Sequence, residues 1–178
     1  MALTVEQIRA TVDDGVLVDL LFDEARRLLP DELFADTNRY YKSLDNVPRG
    51  IRSLAGIYPF IVSMEMDDLA WHFSNHPDTR HIRETLNGLR EFEMTEIADL
   101  FESTSKIMQP YLPDLHPGKF RDQPFYQWSK SAGIQDQIDP WNKAIWATQS
   151  GLALGLLTPC ALYARKYPER CVVAETAK

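Results

Sequence analysis

Much of what would mark an enzyme at sight is scarce in this chain of 178 residues. It has two cysteines, Cys160 and Cys171, too far apart for a CxxC pair and able to form one bridge at most. A zinc ribbon and a disulfide scaffold are therefore excluded, and so few thiols suggest a reducing, cytoplasmic setting. Glycine is also sparse, at eight residues, and none of them builds a phosphate-cradling loop. Ser150-Gly151 lacks the preceding Gly-x of a nucleophile elbow. No cofactor is implied. The opening MALTVEQIRATVDD carries acids where a secretory leader needs a cationic and then an apolar stretch. No alternating strand of useful length occurs, which argues against a sheet.

What is present is helical periodicity and acid. Hydrophobic residues make up 44% and charged residues 25%, ordinary for a globular domain. The net charge is −7, unevenly spread. Residues 1–118 hold 21 acids against 11 Lys and Arg, a net of −10, whereas residues 119–178 hold 5 against 8, a net of +3. An acidic majority repels nucleic acid and suits a basic partner. From Ala144 to Ala164 run 21 uncharged residues, long enough to span a bilayer. Its threonines, Gln149, Ser150, two glycines and Pro159 fit a buried core helix better, with the proline as a place for a bend. No membrane contact is expected, and Leu152 should lie in the core.

Along the chain, Thr4 with Gln7 has the form of a capping box for a short first helix. Apolar residues from Val16 to Leu29 recur with the helical period until Pro30. A third helix carries Leu33, Phe34, Tyr40, Tyr41 and Leu44 on one side, and the turn Asn46 to Gly50 ends it. The segment from Ile51 to Asn75 reads as one long helix kinked near Pro59. Two more follow, one across DTRHIRETLNGLR and one opening at Thr95 and running to Met108. Residues 109–124, with four prolines and a glycine, read as the long loop, and Phe125 to Tyr167 is helical again. The expectation is a single all-α domain over residues 1–178, with seven or eight helices.

Three of the four histidines fall in DLAWHFSNHPDTRH, from Asp68 to His81. On an unbroken helix Asp68, His72 and His76 share a face, and two histidines with a carboxylate can hold iron or zinc. Asn75 and Pro77 instead favour ending the helix near Ser74, which swings His76 away. No further ligand stands at a recognisable spacing. Packing or helix-end histidines are the expected outcome, with a metal- or ligand-binding enzyme using Asp68, His72 and His76 as the alternative.

The run from Glu65 to Met108 resembles the core of the bacterial DNA-mimic protein family, a set of helical proteins. That family's pattern has an acidic residue, an Asn-Gly-Gly-Phe turn, aromatics ending in asparagine, a leucine-bearing helix and a closing helix. Here Phe73 and Asn75 match the aromatic and asparagine, Leu86 and Leu89 the leucine helix, and Thr95 to Leu100 the closing one. Asp67-Asp68-Leu69 stands where the glycine pair and phenylalanine belong. The resemblance implies a helical core over residues 65–108 and an acidic surface that a DNA-binding protein would recognise.

A helical wheel of Thr95 to Met108 sets Glu96, Asp99 and Glu102 opposite the apolar seam, with Glu91 and Glu93 just before them. Asp67 and Asp68 complete the candidate face. Fourteen helical residues span about 21 Å, over which a duplex carries roughly twelve phosphates. This helix offers three carboxylates, partly offset by Lys106, and a dimer aligning two such faces would come closer. The aromatic clusters PFYQW and DPWNKAIW supply core or line a cavity. The reading is a cytoplasmic, non-enzymatic interaction protein that turns an acidic face toward a basic or DNA-binding protein and touches no nucleic acid itself.

Overall fold

A computed structural model describes residues 2–115 and 125–174. All regular structure among them is helical, as expected, but the count is ten α-helices and not seven or eight. They are α1 (Val5–Ala10), α2 (Asp14–Leu28), α3 (Thr37–Leu44), α4 (Arg49–Met66) and α5 (Leu69–Asn75), then α6 (Thr79–Glu91), α7 (Thr95–Met108), α8 (Phe125–Ser131), α9 (Ile134–Ser150) and α10 (Thr158–Lys166). Of the expected long loop, Leu112–Asp114 form a 3-10 turn, and residues 116–124 lie outside the described residues.

Three elements depart from the expectation. The expected third helix is a 3-10 turn, Asp31–Ala35, followed by α3, which Asp36 caps through the Arg39 amide at 3.1 Å. The run from Ile51 to Asn75 passes through Pro59 without ending and then stops at Asp67. There Asp68 accepts the Trp71 amide proton at 2.8 Å and starts α5. The uncharged run from Ala144 to Ala164 is not one core helix either. It leaves α9 at Gly151, turns through Gly155 at φ +54°, and restarts at Thr158, with Pro159 in the first turn of α10. A proline costs little there, because that amide has no helical partner. Leu152 falls in the turn and is half-buried, a correction to its core assignment. No single helix among the described residues is long and apolar enough to cross a membrane; α9 and the segment to Lys166 pass such a test only as a pair bent by 70°.

The centre of the core is aromatic. Phe101 of α7 stacks on Phe73 of α5 at 5.0 Å and meets Phe60 of α4 edge-on at 5.5 Å. Helix α4 runs through the middle, burying Ile51, Leu54, Ile57, Phe60, Ile61 and Met64. A smaller apolar cluster, Leu29, Leu33, Tyr41 and Leu44, seats α3. Helices α4 and α6 approach closely because two glycines face the opposite backbone. A Cβ on Gly88 would stand 2.6 Å from Ile57 Cγ2 and 2.7 Å from the Ser53 carbonyl oxygen, and one on Gly56 would stand 2.8 Å from that of Glu84.

That packing sets a test. Gly88→Ala gains about 1 kcal/mol of helix propensity, yet must push two helices apart, so a net loss of about 1–3 kcal/mol is expected. In Gly151→Ala the new Cβ meets nothing nearer than the Thr148 carbonyl at 3.5 Å, so stability should stay within about 0.5 kcal/mol. Urea unfolding of both variants checks this, and equal stabilities would refute the α4–α6 account.

Candidate functional site

The acids expected to form one face divide into two sets. Asp68 is 5% exposed. Its carboxylate caps α5 and also accepts the Gln135 amide of α9 at 2.8 Å, so both oxygens serve the fold. Glu91 ends α6 with its carboxylate against the Arg49 guanidinium, the Tyr163 hydroxyl and Arg170 at 3.2 Å. Burial and this carboxylate both raise the pKa of Tyr163. Glu93 pairs with Lys166 at 2.5 Å, and Glu102 with Arg90 at 2.7 Å and Lys106 at 3.6 Å. The remaining three, Asp67, Glu96 and Asp99, are exposed and form no ion pair among the described residues. The backbone at Asp67 and Asp68 has φ of −156° and −146°. Neither residue needs the left-handed conformation that favours glycine, so aspartates fit this turn.

Two of these exposed acids, Asp67 and Glu96, border a surface that the helical wheel of α7 could not reveal. Helix α9 buries Ile138, Asn142 and Ile145. That leaves Trp146, Ala147, Ser150 and Gly151 facing outward. Trp146 is 40% exposed and Met66, at the end of α4, is 78% exposed. The Trp146 indole N–H donates to the Met64 carbonyl at 2.9 Å, which satisfies one of the free carbonyls of the α4 C-terminus. Two shallow grooves flank α9. One, of about 410 Å³, lies against Glu65, Met66, Asp67 and Trp146, and the other, of about 380 Å³, against Glu96, Ile97, Leu152 and Pro159. The i, i+4, i+7 spacing of Ile138, Asn142 and Ile145 was the available signal, since it points Ala147 the other way and sets Trp146 at the edge of the buried stripe.

The histidines do meet, in a combination the sequence did not single out. His76 closes α5 as its C-cap, one residue past Asn75. His81, in the first turn of α6, joins His72 and His76, with ring centroids 5.1, 5.7 and 4.7 Å apart. Ser63 gives its hydroxyl proton to the Pro59 carbonyl at 2.8 Å, so at 3.2 Å it can only accept from His72 Nδ1. Thr85 gives its own to the Gly56 carbonyl at 2.8 Å and stands 3.5 Å from His81 Nε2. The network thus assigns protons to His72 Nδ1 and His81 Nε2. His72 Nε2 is left buried without a hydrogen-bond partner. Asp68 is not part of this cluster's bonding, and among the described residues no three His, Cys, Asp or Glu side chains are placed to hold a metal ion. Substrate cannot reach His72, which is fully buried against Phe60, Phe73 and Phe101. The alternative of an enzyme using Asp68, His72 and His76 therefore has two of its three groups enclosed.

The aromatic clusters are likewise packed more than hollow. Trp71 meets Phe125 edge-on at 5.4 Å, and Trp128 meets Tyr111 at 5.6 Å. A polar cleft of about 600 Å³ exists elsewhere, between α4 and α6, where Arg49, Arg52 and Arg90 face Glu84 and Glu91. Arg52 holds the buried Glu84 through two bonds of 2.8 and 2.7 Å. Comparison with protein-family models, with curated proteins and with solved structures finds no match for this chain.

The imidazole cluster has a consequence for stability. Burial lowers the pKa of all three histidines, that of His81 to about 4, with the neighbouring rings adding to the shift at His72 and His81. The unfolded chain takes up these protons near pH 6.5, before the folded one does, so stability falls as pH drops from 6.5 toward 4. Each histidine contributes a slope of up to ~1.4 kcal/mol per pH unit in that window. Urea unfolding across pH 4 to 8 should show a plateau above 7 and a steep acid limb. In His81→Gln that limb should be shallower; an unchanged slope would mean the cluster does not control acid stability.

Proposed function

We propose that the protein is a non-enzymatic interaction protein whose acidic face, at the ends of α4 and α9 and the start of α7, receives a basic protein partner. The observation that carries this reading is Met66, 78% exposed between Glu65 and Asp67 and sharing a groove with the half-exposed Trp146. An apolar side chain so open to water, with anchored aromatic surface beside it and carboxylates around it, has the composition of a binding patch. The partner's basic character follows from the exposed acids Asp67, Glu96 and Asp99, which no internal cation neutralises among the described residues. DNA-binding proteins belong to this partner class, in keeping with the family resemblance. Mimicry of duplex charge density has less support, because Glu91, Glu93 and Glu102 are spent on internal pairs. The recognition is mixed, with apolar contact at the centre and charge at the rim.

A labelled, unstructured Lys-rich peptide provides the test. Its binding should weaken with rising salt, since exposed charges are screened beyond about 10 Å at 0.1 M. Asp67→Asn/Glu96→Gln/Asp99→Asn should weaken it about tenfold, or ~1.4 kcal/mol, and leave unfolding stability within about 0.5 kcal/mol. The exposed acids Asp19, Glu32 and Asp136 serve as the control, neutralised together. Equal weakening by both triple variants would mean that only net charge matters and that this face is not a site.

A further inference from the structure

We infer that the occupant of this face is a cationic amphipathic helix of the partner, lying across the C-terminal end of α9 with apolar side chains in both flanking grooves. The inference rests on the interaction reading above and adds the form of the partner. The grooves are separated only by α9 itself, for Thr148 lines one and Gln149 the other. The outward residues between the grooves at the end of α9, Ala147, Ser150 and the C-cap Gly151, carry no charge and little bulk, and the exposed Lys143 lies one turn before them. A helix can thus approach closely enough to set one ridge of side chains into each groove. Among the described residues there is no strand whose edge an extended peptide could join, which leaves helix-in-groove docking as the mode the architecture offers.

The anchoring surface is already in place. Trp146 is held by its bond to the Met64 carbonyl, so its ring loses little freedom when covered. Met66, unbranched and polarisable, adapts to whichever side chain it meets. Charge sets the rest of the occupant's pattern. Glu65 and Asp67 rim one groove and Glu96 the other, while Glu93 beside it is already paired with Lys166. A helix with a leucine-like stripe flanked on both sides by Lys or Arg complements that arrangement. A second copy of this chain does not, because it would bring a further net charge of −7 to an already negative face.

The probe is a synthetic peptide of about 14 residues, roughly four helical turns, with leucines at i, i+3, i+4 and i+7 and lysines beside them. Its partner in the test has the same composition, scrambled so that the leucines form no stripe. By fluorescence anisotropy at equal salt, the striped peptide should bind at least about tenfold more tightly, the mark of apolar contact added to charge. Met66→Ser should erase that difference while leaving the scrambled peptide's weaker binding unchanged. Trp146→Phe, which keeps a ring but loses the Met64 bond, should reduce it in part. Sedimentation of the protein alone should show no self-association that Met66→Ser abolishes. Equal binding of the two peptides would overturn the helix proposal and leave the acidic reading standing. No binding of either at low salt would overturn both, and a Met66-dependent dimer would assign the face to a second copy instead.

Discussion

The turn at Asp67 and Asp68 is the constraint on which the rest of the structure depends. A helix ending in the middle of an apolar run exposes free carbonyls at one end and free amides at the other. Here both sets find partners on α9. Asp68 caps the Trp71 amide and is itself held by Gln135, while Asn142 accepts the Leu69 amide proton at 3.1 Å. On the other side of the break, Trp146 binds the Met64 carbonyl. Three side chains of one helix thus secure the end of α4 and the start of α5. Once that corner is fixed, His72 and Phe73 point into the core, and Met66 is left outside.

Charge follows the same logic of closure. The sequence divides into an acidic first two-thirds and a basic remainder, and the fold brings the two together. Arg165 bonds Asp14 at 2.7 Å and the carbonyls of Thr11 and Val12; Lys166 reaches Glu93; Arg170 reaches Glu91. Much of the acidity that looks like a binding surface in one dimension is internal wiring between α10 and the N-terminal helices. The pairs with both members open to solvent contribute at most ~1 kcal/mol each, so their effect is mainly to remove charge from the surface. What remains unpaired of the candidate face is smaller than the sequence suggested, and two of its acids, Asp67 and Glu96, lie beside apolar groups.

The helical class and most helix starts were legible because they depend on near neighbours. The reciprocal cap of Thr4 and Gln7 forms as its spacing indicates, at 3.2 and 2.9 Å. Thr95, by contrast, is the first residue of α7 and makes no cap; Met94 stands at that position. Breaks inside apolar runs were not legible, since Asp68 stops a helix only when α9 is present to bind it. Grouping Asp68 with His72 assumed an unbroken helix beneath them. His81 is hidden for a related reason: it reaches His72 only because the chain turns at Pro77 and Asp78 and lays α6 along α4. The Ala144 to Ala164 run was misjudged because lack of charge was equated with burial, although its helical phase already turned Trp146 away from Ile145.

The proposed face and the structural corner therefore share α9, which has consequences for how each can change. The inward residues Gln135 and Asn142 cannot vary without loosening the start of α5, and with it the packing around His72 and Phe73. Trp146 belongs to both sides, since its N–H serves the α4 terminus while its ring lies half in solvent. Met66 alone among the apolar residues of the face has no comparable internal duty, being almost wholly outside. Burying it would be favourable, at roughly 25 cal/mol per Å² of apolar surface removed from water, and the fold leaves that gain untaken. A nearby helix end and a tryptophan already in place are the means by which a partner could realise it without rearranging the core.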